Sequence, residues 1–278
     1  MNFGRKPDII CIGAQKAGTS WLHVTLSKRP DIWVPPFKEL HFFDYKFIEE
    51  CRRWAPWHVK KGLKQELERH SNLSPPDHDY IEYLNKLKKA PILNGTWYKF
   101  VFSRARIGQI CLDTTPEYSC LPSEGVDFFK RFLPKAKIIY IIRHPFDRLK
   151  SQIRMNASRG EAAASSREDW MGLLEMQALR TRGDYINNIP RWDQRFEDNQ
   201  LLYVPFGWIE KQPQKLLRMI EGHCNLPPYE YDRLETKIHK TVPMNLPEFV
   251  LERLEEMALP QKKFLEERFD RDFLEQSI

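Results

Sequence analysis

The chain has 278 residues, 41% of them hydrophobic and 13% aromatic, which is enough to bury a core and too apolar for wholesale disorder. Its formal net charge of +6 suits an anionic ligand, but no block of like charges marks a nucleic-acid tail. The five cysteines are odd in number and contain no CxxC pair, which argues against a disulfide framework or a zinc site and for a reducing, cytoplasmic setting.

In chain order, "DIICIG" (8–13) reads as a buried strand closed by glycine. "TSWLHVTLSKRP" (19–30) begins with hydroxyl residues, repeats apolar residues at helical spacing and stops at proline, so it predicts a helix. "WVPPFKELHFFD" (33–44) reads as a Pro-rich loop running into a short extended stretch. Residues 45–108 are rich in aromatics without a clean period, with helices expected near 62–70 and 79–89; this region is the candidate acceptor side. A strand is expected over 107–116, a helix over 123–134, and the strongest buried strand at "KIIYIIRHP" (137–145). Pro145 then starts a helix. A helix near 167–182, a strand at 199–206, a helix near 209–222 and an amphipathic helix over 247–275 complete the chain. Strands alternating with helices imply a single α/β domain over 1–278, with a central, largely parallel sheet flanked by helices and a P-loop-like strand-loop-helix at its start. No segment is long and apolar enough to span a membrane, so no membrane partner is expected, nor any nucleic acid. The oligomeric state is not legible.

"IGAQKAGTSWL" (12–22) places two glycines in a loop between strand and helix, where backbone N–H groups and the positive helix end meet an anion. The glycine spacing is that of a nucleoside-triphosphate loop, but Thr19 stands at the lysine position and Lys16 lies inside the loop. No magnesium-holding aspartate follows the second strong strand; Arg143 is there instead. An ordinary kinase or ATPase is therefore disfavoured. Arg143 at a strand's carboxyl end and Ser151, about two helical turns further on, could grip one phosphate.

"GAQKAGTSWL" with "IIYIIRHPFDRLKS" resembles the two nucleotide motifs of sulfotransferases that use 3′-phosphoadenosine 5′-phosphosulfate (PAPS). "KELHFFD" between them resembles the glycosaminoglycan branch, in particular the heparan sulfate 3-O-sulfotransferases. The resemblance implies that Gly13, Ala14, Gln15, Lys16, Ala17, Gly18, Thr19, Ser20 and Trp21 hold the 5′-phosphosulfate, with Lys16 the catalytic cation. It implies that Arg143 and Ser151 hold the 3′-phosphate. His239, Lys240 and Thr241 in "TKIHKTVP" lie where the family has a late basic loop, although the family's glycine is missing. The product would be adenosine 3′,5′-bisphosphate (PAP).

Sulfuryl transfer needs an in-line nucleophile, charge stabilisation on the leaving oxygen and a proton acceptor, but no metal; no ligand spacing suggests one. Glu39 and His41 would share a face if their stretch is extended, and either could be the base; the resemblance favours Glu39. Glu39, His41, Asp44, Asp113, Thr114 and Glu117 are the candidate acceptor contacts. The glycan-modifying relatives carry a lysine where "LDTTPEY" has Thr114, and Asp113 and Glu117 add negative charge. A small neutral or cationic acceptor is expected, such as a secondary metabolite of the alkaloid kind, with its sulfated group a hydroxyl or an amine. The alternatives are an oligosaccharide sulfotransferase and a non-catalytic nucleotide- or RNA-binding module.

Overall fold

The computed structural model describes residues 4–158, 164–234 and 244–278. Five strands form one parallel sheet: β1 (Ile9–Gly13), β2 (Ile32–Trp33), β3 (Ile110–Thr114), β4 (Lys137–Ile142) and β5 (Leu201–Pro205). Their order is β2-β3-β1-β4-β5. The chain builds one side of β1 first and then crosses to the other, so β1 lies at the topological switch point. β1 and β4 read as continuous apolar runs because helices cover both faces of the sheet.

Register brings the functional segments together. Cys11 lies opposite Thr114, and Gly13 opposite Tyr140. The loops after β1, β3 and β4 therefore leave from one edge of the sheet. A second apolar cluster, including Leu149, Ile153, Trp170, Leu174, Val250 and Leu254, packs the helix Pro145–Ala157 against Arg167–Glu175 and Glu248–Arg268. That packing holds the helix bearing Ser151 beside the sheet edge.

Several elements depart from expectation. β2 has only two residues, too few to show a period. Residues 49–71 form one long helix with Pro56 inside it, rather than a helix near 62–70 alone. The aromatic region also holds the helices His78–Lys89 and Gly95–Val101. The helix expected near 167–182 breaks at Met176, and Tyr185–Asp193 is an additional helix. Among the described residues no helix is long and apolar enough to cross a membrane.

Candidate active site

The loop after β1 is shaped by its two glycines. A side chain at Gly13 would meet Ser119 Oγ at 2.9 Å, and one at Gly18 would meet Ile209 Cδ1 at 2.2 Å with φ at +81°. Only glycine fits there without displacement. Ala14 and Ala17 are fully buried and pack the loop against the core. Ala14 N–H donates to Ile141 O (2.9 Å) and Ala17 N–H to Ala14 O (3.1 Å), which closes the turn. The helix Thr19–Leu26 then presents N–H groups that no carbonyl of its own can take. Ser20 lies half-buried in its first turn. Thr19 is nearly buried, and Trp21 is a core residue whose indole N–H donates to Leu234 O (3.1 Å). Trp21 thus fixes helix to chain rather than facing the loop.

Lys16 adopts φ +68°, and its Nζ reaches Met155 Sδ at 3.7 Å. Met155 lies one turn beyond Ser151, so the helix face that carries both looks toward the loop. Arg143 leaves the end of β4 and donates from Nη1 to Lys16 O (2.7 Å). Its guanidinium stacks 4.2 Å from the Phe206 ring, and Tyr185 OH bonds both its N–H and its carbonyl. Its Nε is buried without a partner, and no carboxylate pairs with it among the described residues. Burial pushes the guanidinium's pKa down. A half-buried cation with a donor left short of an acceptor is a fit for an anion. His239, Lys240 and Thr241 lie outside the described residues.

The "KELHFFD" stretch is not extended. Glu39 and His41 both take left-handed backbone, at φ +69° and +54°, and a helix begins at Phe42. Non-glycine residues rarely adopt this conformation, and here tertiary bonds enforce it. Glu39 N–H donates to Thr114 O (3.2 Å), Leu40 N–H to Thr115 Oγ1 (3.0 Å) and Phe42 N–H to Tyr118 OH (3.1 Å). Thr115 Oγ1 and Tyr118 OH donate in turn to the buried Asp113 carboxylate, at 2.8 and 3.1 Å, and Tyr98 OH joins them at 2.7 Å. Asp113 is thus a buried hub that sets the loop, not an acceptor contact. Burial raises its pKa to about 6, against those three donors. Thr114 is also turned inward, with Oγ1 3.2 Å from His23 Nδ1. Tyr118→Phe removes one link, and leaving Phe42 N–H unpaired should cost about 1–3 kcal/mol. Urea denaturation would measure that loss, and hydrogen exchange should show the Phe42 amide opening faster.

The outcome is a line of three side chains. His41 Nδ1 lies 2.7 Å from Asp44 Oδ2, and His41 Nε2 lies 3.8 Å from Glu39 Oε2. Lys38 Nζ holds the other Glu39 oxygen at 2.5 Å. His41 is fully buried, with its Nε2 unpartnered, and packs edge-on against Trp54 and His58. Burial would raise the Glu39 pKa, but the charges of Lys38 and His41 hold it below the usual carboxylate range. Burial would lower His41, but Asp44 outweighs it and lifts the pKa to about 9. His58 is lowered by burial and by His41's charge, and its Nε2–H donates to Lys38 O (3.1 Å). Glu39, His41 and His58 bring metal-capable atoms within 4.8 Å of one another, a convergence that sequence spacing did not signal.

His41 gives the fold a pH dependence. Its pKa rises from an ordinary 6.5 to about 9, so its contribution is complete below pH 6.5 and lost as pH climbs through 9. The loss should be on the order of 2–3 kcal/mol by denaturant titration and should be largely absent in Asp44→Asn.

Glu117 is 3% exposed. Gln15 Nε2 donates to its Oε1 at 3.0 Å, and Arg182 Nη2 lies 3.3 Å from the same oxygen. Beside it opens a cleft of about 440 Å³, walled by Phe47, Ile48, Cys51 and Arg182. Of the aromatics in 45–108, Tyr83, Trp97 and Tyr98 are core and Trp57 is exposed, whereas Trp54 borders His41.

The sequence model described as the sulfotransferase family matches residues 7–231. The chain belongs to that family. Its fold is similar to that of a sulfotransferase from Alicyclobacillus acidocaldarius, at TM-score 0.65 and 20% identity, covering 97% of this chain and 99% of the other. It is also similar to the sulfotransferase domain of a Synechococcus olefin synthase, at TM-score 0.59 and 18% identity, covering 96% of each. Human bifunctional heparan sulfate N-deacetylase/N-sulfotransferase 1 is 22% identical over 230 residues, which are 78% of this chain and 22% of that protein. The human form 2 is 21% identical over 241 residues, 81% of this chain and 22% of the relative. The chain thus spans about a fifth of the length of these curated relatives. In this sulfotransferase, sequence reasoning passed over Lys38 and Arg182. Lys38 was readable, since it opens the quoted "KELHFFD"; Arg182 carries no local signal and reaches Glu117 only through the fold.

Proposed function

We propose that the enzyme moves a sulfuryl group from PAPS to a hydroxyl or amine of a small metabolite, such as a secondary metabolite. The observation that carries this reading is Arg143, whose half-buried guanidinium is tied to the Lys16 carbonyl yet keeps a buried, unpartnered Nε at the same sheet edge. PAPS supplies a sulfuryl group bonded to a phosphate leaving group. The N–H groups at the start of Thr19–Leu26 bind the 5′-phosphate side, and Arg143 and Ser151 bind the 3′-phosphate. Lys16 stabilises the charge that grows on the oxygen leaving sulfur. Glu39 takes the proton from the acceptor as the new bond to sulfur forms, and PAP leaves. His41, protonated at neutral pH and fixed by Asp44, orients Glu39 rather than acting as the base. Lys38 lowers the basicity of Glu39, and an anion drawing Lys38 away would restore it.

A polyanionic oligosaccharide is the less favoured acceptor, because the cleft carries Glu49, Glu50 and Glu117 against Arg53 and Arg182. The nucleotide site is tested by thermal unfolding. PAP without magnesium should stabilise the protein by about 2.7 kcal/mol at a hundredfold excess over Kd, and well beyond ATP. Greater stabilisation by ATP with magnesium would reject the proposal.

A further inference from the structure

The Glu117 carboxylate is only half satisfied. Oε1 receives both Gln15 and Arg182, whereas Oε2 is buried with no partner. Burial pushes its pKa up, while Arg182 pulls it down. A buried carboxylate oxygen without a donor is costly, and a cationic donor relieves that best. Glu117 also joins three parts of the site. Through Gln15 it touches the glycine loop. Its own wall forms part of the cleft. Through Arg182, which lies 5.9 Å from the Trp54 ring, it connects to the aromatic packed on His41. Phe47 and Ile48 give the cleft an apolar stretch of wall, beside the charged Glu49, Glu50 and Arg53, where a ring or short alkyl frame can pack.

We propose that this cleft receives the acceptor and that Glu117 Oε2 selects one carrying a protonated amine close to the hydroxyl to be sulfated. The inference rests on the sulfotransferase reading above and narrows its acceptor to amino alcohols and aminoalkyl phenols. An alkyl amine is protonated at neutral pH, like a lysine side chain, and then has no lone pair with which to attack sulfur. The ammonium is therefore the handle and the hydroxyl the nucleophile. The hydroxyl oxygen bonds to sulfur, the sulfur–oxygen bond to the nucleotide phosphate breaks, and the hydroxyl proton passes to Glu39. The product is a sulfate ester, not a sulfamate.

Calorimetric titration of the PAP-saturated protein with tyramine and with 4-ethylphenol tests this, because the two share ring and chain and differ in the amine. Tyramine should bind about 10-fold tighter or better, the value of one charge-assisted bond. Glu117→Gln should bring the two ligands close to parity. Equal affinity, tighter binding of 4-ethylphenol or binding of neither by the wild type would overturn the proposal. A Glu117→Gln protein that keeps the preference would do so too. The wild-type pair decides the question even if the variant fails to fold. PAP binding is read in the first titration, so its absence counts against the nucleotide reading, separately from any result with the amine.

Discussion

Lys16→Ala is expected to lower the rate of sulfuryl transfer about 10²–10³-fold while the protein keeps its fold. Alanine is also an L-residue, so the left-handed backbone at position 16 is no more strained than before. The Lys16 carbonyl that accepts from Arg143 belongs to the backbone and survives the change. What disappears is a cation on the loop, lying along the helix face that also bears Ser151. The loss should therefore appear in kcat at saturating donor, with PAP affinity changed much less and the melting temperature steady. Retention of the full rate would move the catalytic charge to Lys38, the other lysine of the site.

Glu39→Gln should reduce kcat by about 10²–10⁴-fold, the usual reach of a general base. Glutamine matches glutamate in shape, so the bonds from Leu40 and Phe42 to Thr115 and Tyr118 still set the loop. The pH profile separates the two candidate bases. Glu39 lies below the usual carboxylate range and is ionised at neutral pH, so a Glu39 base gives a flat kcat between about pH 6 and 8. His41 titrates near 9 and would be active only when deprotonated, so a His41 base gives a rate that climbs about tenfold per pH unit over the same range. A climbing profile together with an active Glu39→Gln variant would transfer the role to His41.

Some of this architecture was plain in the order of residues. "IICIG" and "KIIYII" are buried on both faces and could hardly be anything but central parallel strands. The helix Ser123–Phe132 carries a strong apolar stripe. Of the long helix Glu49–Ser71 only the stretch near 62–70 is legible in the sequence, for a physical reason. Its buried face runs Cys51, Ala55, Val59, Leu63 and Glu66, about one residue per turn, and ends on a charge. So narrow a stripe, interrupted by Pro56, leaves little periodic signal.

The same division runs through the site. Sequence alone determined the glycine loop with its internal lysine, the arginine at the end of the best strand and the acidic–histidine stretch between them. Each is a local motif whose chemistry lies in residue type and spacing. Only the tertiary structure decided how Glu39 and His41 meet, because two left-handed residues bring them together and strand alternation does not. It also decided that Asp113 is a buried hub whereas Glu117 borders a cleft, although both are acids within one short segment. Asp113 lies in β3 and Glu117 in the 3-10 turn Pro116–Cys120 that follows it, and what waits beside each comes from chain remote in sequence. Tyr98 awaits Asp113, and Arg182 awaits Glu117.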